Sequence, residues 1–253
     1  MKKILLTSAI VVTIFVSCKK ENSSLQLASV NVINAIVGTP TLKVNYFGSL
    51  ITWAAYTGAD GSVNYAANKI YSISNAVTGY PFTIVPSADT LNPAFAGAIN
   101  IQPGSNYSLY IIGQAPVYDA VFTQETNIAY GYADSSVAIR FINLSPNSPA
   151  VNITLAATPT VNETTGLNYK QQTEFKKYAL AATIVTGTVT FQVRDALTNA
   201  LLTSYTLPAT AVSPYTTVST TLSRFKSITL AIKGLHGTTS GTNAYGVFPI
   251  ANY

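Results

Sequence analysis

The sequence predicts an all-β chain of two tandem sandwiches, on three observations. A block of residues occurs twice at a constant offset, apolar residues alternate with others at period two, and short segments are separated by turn formers with no sustained helical period. Val30, Val32, Ile33, Asn34, Pro40, Leu42 and Val44 align without a gap with Ile139, Phe141, Ile142, Asn143, Pro149, Val151 and Ile153, each 109 residues later. That offset is the length of one small domain.

Each block reads as strand, turn, strand. Val30 and Val32, like Val137, Ile139 and Phe141, place alternate side chains on one sheet face. Residues 33–40 and 142–149 carry Asn, Gly, Ser and Pro, which break strands and set turn dihedrals. Alternation resumes at Leu42, Val44 and Tyr46, and at Val151, Ile153 and Leu155. Beyond the block the copies align with gaps: Val63-Asn64-Tyr65 matches Leu167-Asn168-Tyr169, and Val77-Thr78-Gly79 matches Val185-Thr186-Gly187. Further strands are predicted over 82–85, 99–101 and 107–112, and over 188–193, 201–207 and 216–222. Hairpin-like tails over 128–134 and 246–253 close the domains, which gives 29–134 and 135–253 with the boundary near Asp134. So short a linker predicts stacked sandwiches with limited relative motion.

The segment Ile101-Gln102-Pro103-Gly104-Ser105-Asn106-Tyr107-Ser108-Leu109 resembles the tyrosine corner of immunoglobulin-like and fibronectin type III-like sandwiches. There the ring packs under the turn and the hydroxyl bonds to upstream backbone. Residues 207–215, ending at Tyr215, form a longer version in the second copy. The expected fold is two tandem immunoglobulin-like (fibronectin type III-like) β-sandwiches.

The chain opens with an address. Lys2 and Lys3 precede an apolar run over 4–15, and Val16, Ser17 and Cys18 follow, the order of a secretory signal. The run is too short to span a bilayer. A cysteine after a small residue at its end resembles the lipobox of bacterial lipoproteins, whose thiol is diacylated and becomes the first residue. Phe15 stands where that motif usually has Leu. The expectation is a signal peptide over 1–17, lipidation of Cys18, a tether over 18–28, and the membrane as a partner through the lipid. Cys18 is the only cysteine, which excludes an intrachain disulfide, redox chemistry and thiolate metal sites.

Composition narrows the function. Only 9% of residues are charged, and much of the net charge of +5 comes from Lys2, Lys3, Lys19 and Lys20, so the high pI signals no nucleic-acid patch. The only histidine, His236, sits in a predicted turn without the partners a metal set or a nucleophile and base need. Gly234, Gly237 and Gly241 lack the Lys-Ser/Thr of a phosphate loop. The acids Glu21, Asp60, Asp89, Asp119, Glu125, Asp134, Glu163, Glu174 and Asp195 are scattered singly and read as solvated loop residues. A glycosidase needs two carboxylates about one bond, and calcium needs several oxygens in one loop. No cofactor, metal or catalytic residue is expected, and the chain is read as a non-enzyme. Asp89-Thr90-Leu91 resembles the O-glycosylation acceptor of exported Bacteroidetes proteins.

Residues 46–82 are the densest aromatic stretch, with Phe47, Trp53, Tyr56, Tyr65, Tyr71 and Tyr80, most of them expected in the core. Trp53 and Tyr56 differ. Asn45 to Tyr65 is 20 positions while the equivalent Thr154 to Tyr169 is 15, so the first copy has five extra residues there. Aromatics on a loop suit stacking on sugars or anchoring a protein, which makes Trp53 and Tyr56 the candidate binding residues for a glycan or an envelope protein. The competing reading is that Trp53 plugs its own sandwich or the contact between domains.

The run Arg140-Phe141-Ile142-Asn143-Leu144-Ser145-Pro146-Asn147-Ser148-Pro149-Ala150-Val151-Asn152-Ile153 resembles the opening signature of the domain of unknown function 4397. The first copy keeps Pro40 but has Val37-Gly38-Thr39 where the second has Pro146-Asn147-Ser148. That family is common in Bacteroidetes lipoproteins, often as tandem domains, and implies a fold and an outer-membrane location but no activity. Glu21 is the only acid in the tether, which leaves periplasmic face and cell surface both open. The function expected is a lipid-anchored, non-catalytic envelope protein that binds a glycan or protein. The alternatives are an envelope enzyme whose carboxylates converge only in three dimensions, and a purely structural lipoprotein.

Overall fold

The computed structural model describes residues 27–53, 56, 61–74, 78–132, 134, 136–179, 189–207, 211–212, 219–220 and 225–252. Every regular element among them is a strand. The expected all-β architecture is the one observed, as two β-sandwiches.

The first sandwich packs two four-stranded sheets. One contains β1 (Ala28–Asn34), β4 (Ala67–Ile73), β7 (Asn106–Gln114) and β8 (Val117–Gln124) in the order β4-β1-β7-β8. The other contains β2 (Thr41–Asn45), β3 (Ser62–Asn64), β5 (Tyr80–Pro86) and β6 (Phe95–Ile99) in the order β3-β2-β5-β6. The second sandwich is built from β9 (Ser136–Asn143), β10 (Val151–Leu155), β11 (Thr158–Leu167), β12 (Lys176–Ala179), β13 (Thr190–Asp195), β14 (Leu201–Thr206), β17 (Ser227–Lys233) and β18 (Gly246–Ala251). Its sheets run β12-β9-β17-β18 and β11-β10-β13-β14, the same topology strand for strand, with a small ladder of β15 (Ala211–Val212) and β16 (Ser219–Thr220) beside them. In both copies the opening strand is central and parallel to its later neighbour, β1 to β7 and β9 to β17. Immunoglobulin sheets read ABED and CFG; the sandwich class is as expected, and the strand order differs from that pattern.

The repeated residues explain the repeat. Val30, Val32, Leu42 and Val44 lie in one core cluster, and Ile139, Phe141, Val151 and Ile153 in the other, each between its two sheets. The shared asparagine ties those sheets together. Asn34 Nδ2 donates to the Thr39 and Val63 carbonyls and its Oδ1 accepts the Ile36 N–H, while Asn143 Nδ2 donates to the Leu167 carbonyl and its Oδ1 accepts the Ser145 N–H. An asparagine carries both a donor and an acceptor, so one buried side chain satisfies a turn and a neighbouring sheet together. The corner at Tyr107 also forms: its hydroxyl oxygen accepts the Gln102 N–H at 3.0 Å, above Gly104 at φ 75°.

Several local expectations shift. The strand expected over 99–101 is Phe95–Ile99, because 100–105 is consumed by the corner turn. Residues 128–132 and 134 form no strand; they pass from one sandwich to the next, held by Tyr130, whose hydroxyl donates to the Lys226 carbonyl and accepts the Ala138 N–H. Val77, residues 185–187 and Tyr215 lie outside the described residues.

The two sandwiches bury a third cluster between them. Ile33, Ala35, Tyr110 and Ile112 of the first meet Ile142, Leu144, Ala231, Phe248 and Ile250 of the second. Ile33 and Ile142, and Ala35 and Leu144, are related by the repeat, so the same patch of each copy faces the other, as in an isologous contact. Strands β1, β7, β9 and β17 are therefore covered on both faces, which is why β9 is buried at all eight positions. The four sheets stack as layers with the β1 and β9 sheets innermost.

A charge sits inside this contact. Arg140 is the repeat equivalent of Asn31, and both are buried. The Arg140 guanidinium donates to Glu125 Oε1 at 2.6 Å, to the Tyr110 hydroxyl at 3.0 Å and to Thr229 Oγ1 at 2.7 Å, with the Phe175 ring 4.6 Å from its centre. Glu125, expected as a solvated loop acid, is instead 9% exposed: it lies where β8 ends against the incoming sandwich. Burial pushes the Tyr110 hydroxyl pKa up, so it stays protonated. Arg140→Ala would strand the Glu125 carboxylate, and urea unfolding should show a loss of about 3–5 kcal/mol. The double variant Arg140→Met with Glu125→Leu should fall within about 1 kcal/mol of wild type or above it, because both desolvation costs vanish together.

Candidate functional site

Acid chemistry would need described carboxylates that converge. Six of the described acids are engaged separately, Glu125 with Arg140, Asp119 with Lys170, Glu163 with Lys176 and Tyr178, and Asp134 with Lys177 and Ser136. Asp89 holds Asn92 and the Leu91 N–H, and Asp195 holds the N–H groups of Leu197 and Thr198. Glu174 is exposed, and Glu21 and Asp60 lie outside the described residues. Among the described residues no three His, Cys, Asp or Glu side chains gather as a metal site. His236 is in a turn and exposed, its ring edge-on to Tyr245 at 5.6 Å and its backbone held by Asn147.

Two grooves run along the seam between the sandwiches. One, of about 420 Å³, is lined by the β7 to β8 turn, including Pro116 and Tyr118, together with Pro146 and Tyr169 of the second copy. The other, of about 190 Å³, is lined by Gly38, Pro40 and Tyr65 together with Asn243. Tyr65 and Tyr169 are equivalent in the repeat, so the grooves are related as the sandwiches are. Burial, and then the Asp119 charge, push the Tyr169 hydroxyl up to about 12. Lys233 lies 5.3 Å from the Tyr65 ring. These groups are spent on joining the copies.

The connection between β2 and β3 carries Trp53 and Tyr56. Both are half-buried and meet edge to face, with ring centroids 6.1 Å apart. Tyr56 is an anchor: its hydroxyl donates to the Val44 carbonyl at 3.1 Å, and its ring lies so close over Gly61 that a Cβ there would meet it at 2.2 Å. Lys43 Nζ donates to the Trp53 carbonyl at 3.0 Å, which tethers the turn to β2. The side chains most open to solvent here are Phe47, 58% exposed, and Leu50, fully exposed. Phe47 belongs to a stretch whose aromatics are mostly expected in the core, but it falls past the end of β2, where Gly48 and Ser49 turn the chain outward while Tyr46 stays behind against Tyr71 at 4.7 Å. Its neighbours Gly48 and Ser49 were the signal that could have shown this.

This connection lies at the end of the sandwich where β1 begins. Ala28 pairs with Ile73 and Val30 with Tyr71, the ring that touches Tyr46. The second sandwich lies the same way round: Glu125 bonds the first residue of β7, Asn106, and Tyr130, five residues further on, bonds Ala138 near the start of β9 and the Lys226 carbonyl beside it. At the opposite end the Gly38 N–H donates to Asn243 Oδ1 and Lys170 meets Asp119. Tyr130, Tyr132 and Phe225 therefore share the β1 end with Phe47 and Leu50. Cys18 lies outside the described residues.

A scan of the chain against protein-family models finds no match, and a search of curated proteins finds none. Two measurements check the geometry above. Gly61→Ala should cost about 1–3 kcal/mol by displacing the Tyr56 ring, and most of that cost should disappear in a Tyr56→Ala background, a coupling that a double-mutant cycle reads directly. Asp134 is held at about 2, below its ordinary 3.8, chiefly by its bond to Lys177 and then by Ser136. Its folded pKa is the lower one, so its stabilisation is present above pH 3.8 and lost as pH falls toward 2. Asp134→Asn should flatten the acid side of the stability profile in that window.

Proposed function

We propose that the chain is a lipid-anchored, non-catalytic protein of the outer membrane, held by acyl chains on Cys18, whose role is to bind a glycan or a protein partner of the envelope. The observation that carries the reading is the position of Cys18. It ends a signal-like apolar run and stands nine positions before Leu27, where the described sandwich begins, so an anchored chain would hold its folded part close to the bilayer. Two acyl chains give stable anchoring. The separate engagement of six of the described acids supports a binding role over hydrolysis, which would need two carboxylates about one bond. The tandem sandwiches also suit the resemblance to the lipoprotein family noted for Arg140 and the residues after it.

The candidate contact is the connection between β2 and β3, where Trp53 presents a half-open indole braced by Tyr56. A braced aromatic loses little side-chain freedom on binding, which favours affinity. Trp53→Ala should then cost only about 0.5–1.5 kcal/mol of stability, the scale of one aromatic pair, while lowering capture of envelope glycans or proteins several-fold. The anchor is tested by Cys18→Ser. The variant should leave the membrane fraction or accumulate as an uncleaved precursor, and migration and fractionation like wild type would sink the assignment.

A further inference from the structure

The exposed apolar side chains at the two ends of the stacked sandwiches differ in kind. At the end where β1 begins they are Leu27, Phe47, Leu50, Tyr132 and Phe225, three of the five aromatic. At the opposite end they are Leu91, Val117, Leu197 and Leu201, all aliphatic. Exposed apolar groups gathered on one face mark a contact surface. Tyrosine concentrates where proteins meet the interfacial region of a bilayer, because its amphipathic ring suits the mixed polarity there, and phenylalanine and leucine side chains bury at the boundary of headgroups and acyl chains.

The length of the tether says what covers this end. From Cys18 to Leu27 an extended chain spans at most about 30 Å, and Leu27 leads straight into β1 at the aromatic end. A lipid on Cys18 therefore holds this end, and not the aliphatic one, within reach of the headgroups. Lys19 and Lys20 in the tether and the exposed Lys226 beside Phe225 add cations that anionic headgroups attract. The contact between the sandwiches presents the groups of both copies together.

We infer that this end of the molecule seats on the bilayer, with Phe47, Leu50, Tyr132 and Phe225 in the lipid interface, so that the partner of the Phe47 and Leu50 turn is the lipid surface. The inference rests on the anchored reading above and replaces a glycan or protein with lipid at this one surface.

Trp53, the only tryptophan, lies between Leu50 and Tyr56 and reports on the seat. Mature protein purified from membranes is mixed with vesicles of phosphatidylethanolamine and phosphatidylglycerol, with and without bromine on the acyl chains near the headgroup. Seating predicts that bromine lowers the tryptophan emission by half or more. Phe47→Asp with Leu50→Asp should abolish that quenching, while Leu91→Asp at the opposite end should leave it unchanged. Emission that bromine does not alter in the vesicle-bound wild type would overturn the inference, as would equal quenching in the double variant. Loss of an envelope protein or glycan from the double variant, with Trp53 unquenched in the wild type, would assign the surface to that partner instead. Mass measurement of the residue at Cys18 reads the anchor independently: an unacylated cysteine defeats the anchored reading, whereas quenching still decides whether this end meets lipid. If the double variant is unfolded by circular dichroism, Tyr132→Asp takes its place, since Tyr132 is fully exposed and its ring supports no core.

Discussion

The opening strand of each copy lies in the middle of its sheet and carries buried side chains on both faces. One face is answered by the copy's own second sheet. The other can be answered only by the neighbouring sandwich, and the rest of the architecture follows from that requirement. Ile33 and Ala35 need Ile142 and Leu144, and the reverse holds equally. Once the two faces meet, the polar residues at the same register must be satisfied without water. Copy two places Arg140 there and copy one supplies Glu125 and Tyr110. Apolar burial supplies the attraction, and the bonds among Arg140, Glu125 and Tyr110 keep the buried guanidinium paired at that register.

How much of this was legible depends on which rule each residue obeys. Period-two alternation at Val30, Val32, Leu42 and Val44 needs only a half-buried sheet, so the strands and their inward faces could be read directly. The Tyr107 corner is a local motif whose partner lies five residues away, and it too was readable. The roles of Asn31 and Arg140 were not, because alternation marks them as facing outward. They do face outward from their own sandwich, yet the surface they face is another protein layer. Glu125 was misread as a solvated acid for the same reason: burial created by the packing of two domains leaves no periodic trace in either one. Phe47 fails in the opposite direction, since an aromatic in an aromatic-rich stretch is usually core and only its place after the last paired residue of β2 puts it outside.

Trp53 and Tyr56 show a middle case. The five-residue excess over the second copy located the connection correctly as a feature the scaffold does not share. What length alone could not show is that Tyr56 is committed to the Val44 carbonyl and to the space over Gly61. The pair is thus one brace and one presented ring. This division, with a fixed support beneath a half-open group, is how a loop can contribute affinity without the entropy cost of ordering itself on contact.

The parallel pairing of β1 with β7, and of β9 with β17, carries a consequence for how the chain reaches its final state. Ser29 finds its partner Asn106 only after 77 further residues, and Ala138 finds Ser227 only after 89. Centres completed so late raise contact order, and domains of that kind fold slowly. A nascent chain cannot close either sandwich until nearly all of that copy has emerged. Until then one edge of β1 or β9 stays unpaired, so the same connectivity that gives each finished sandwich a doubly covered heart leaves its central strand open to wrong partners for most of synthesis.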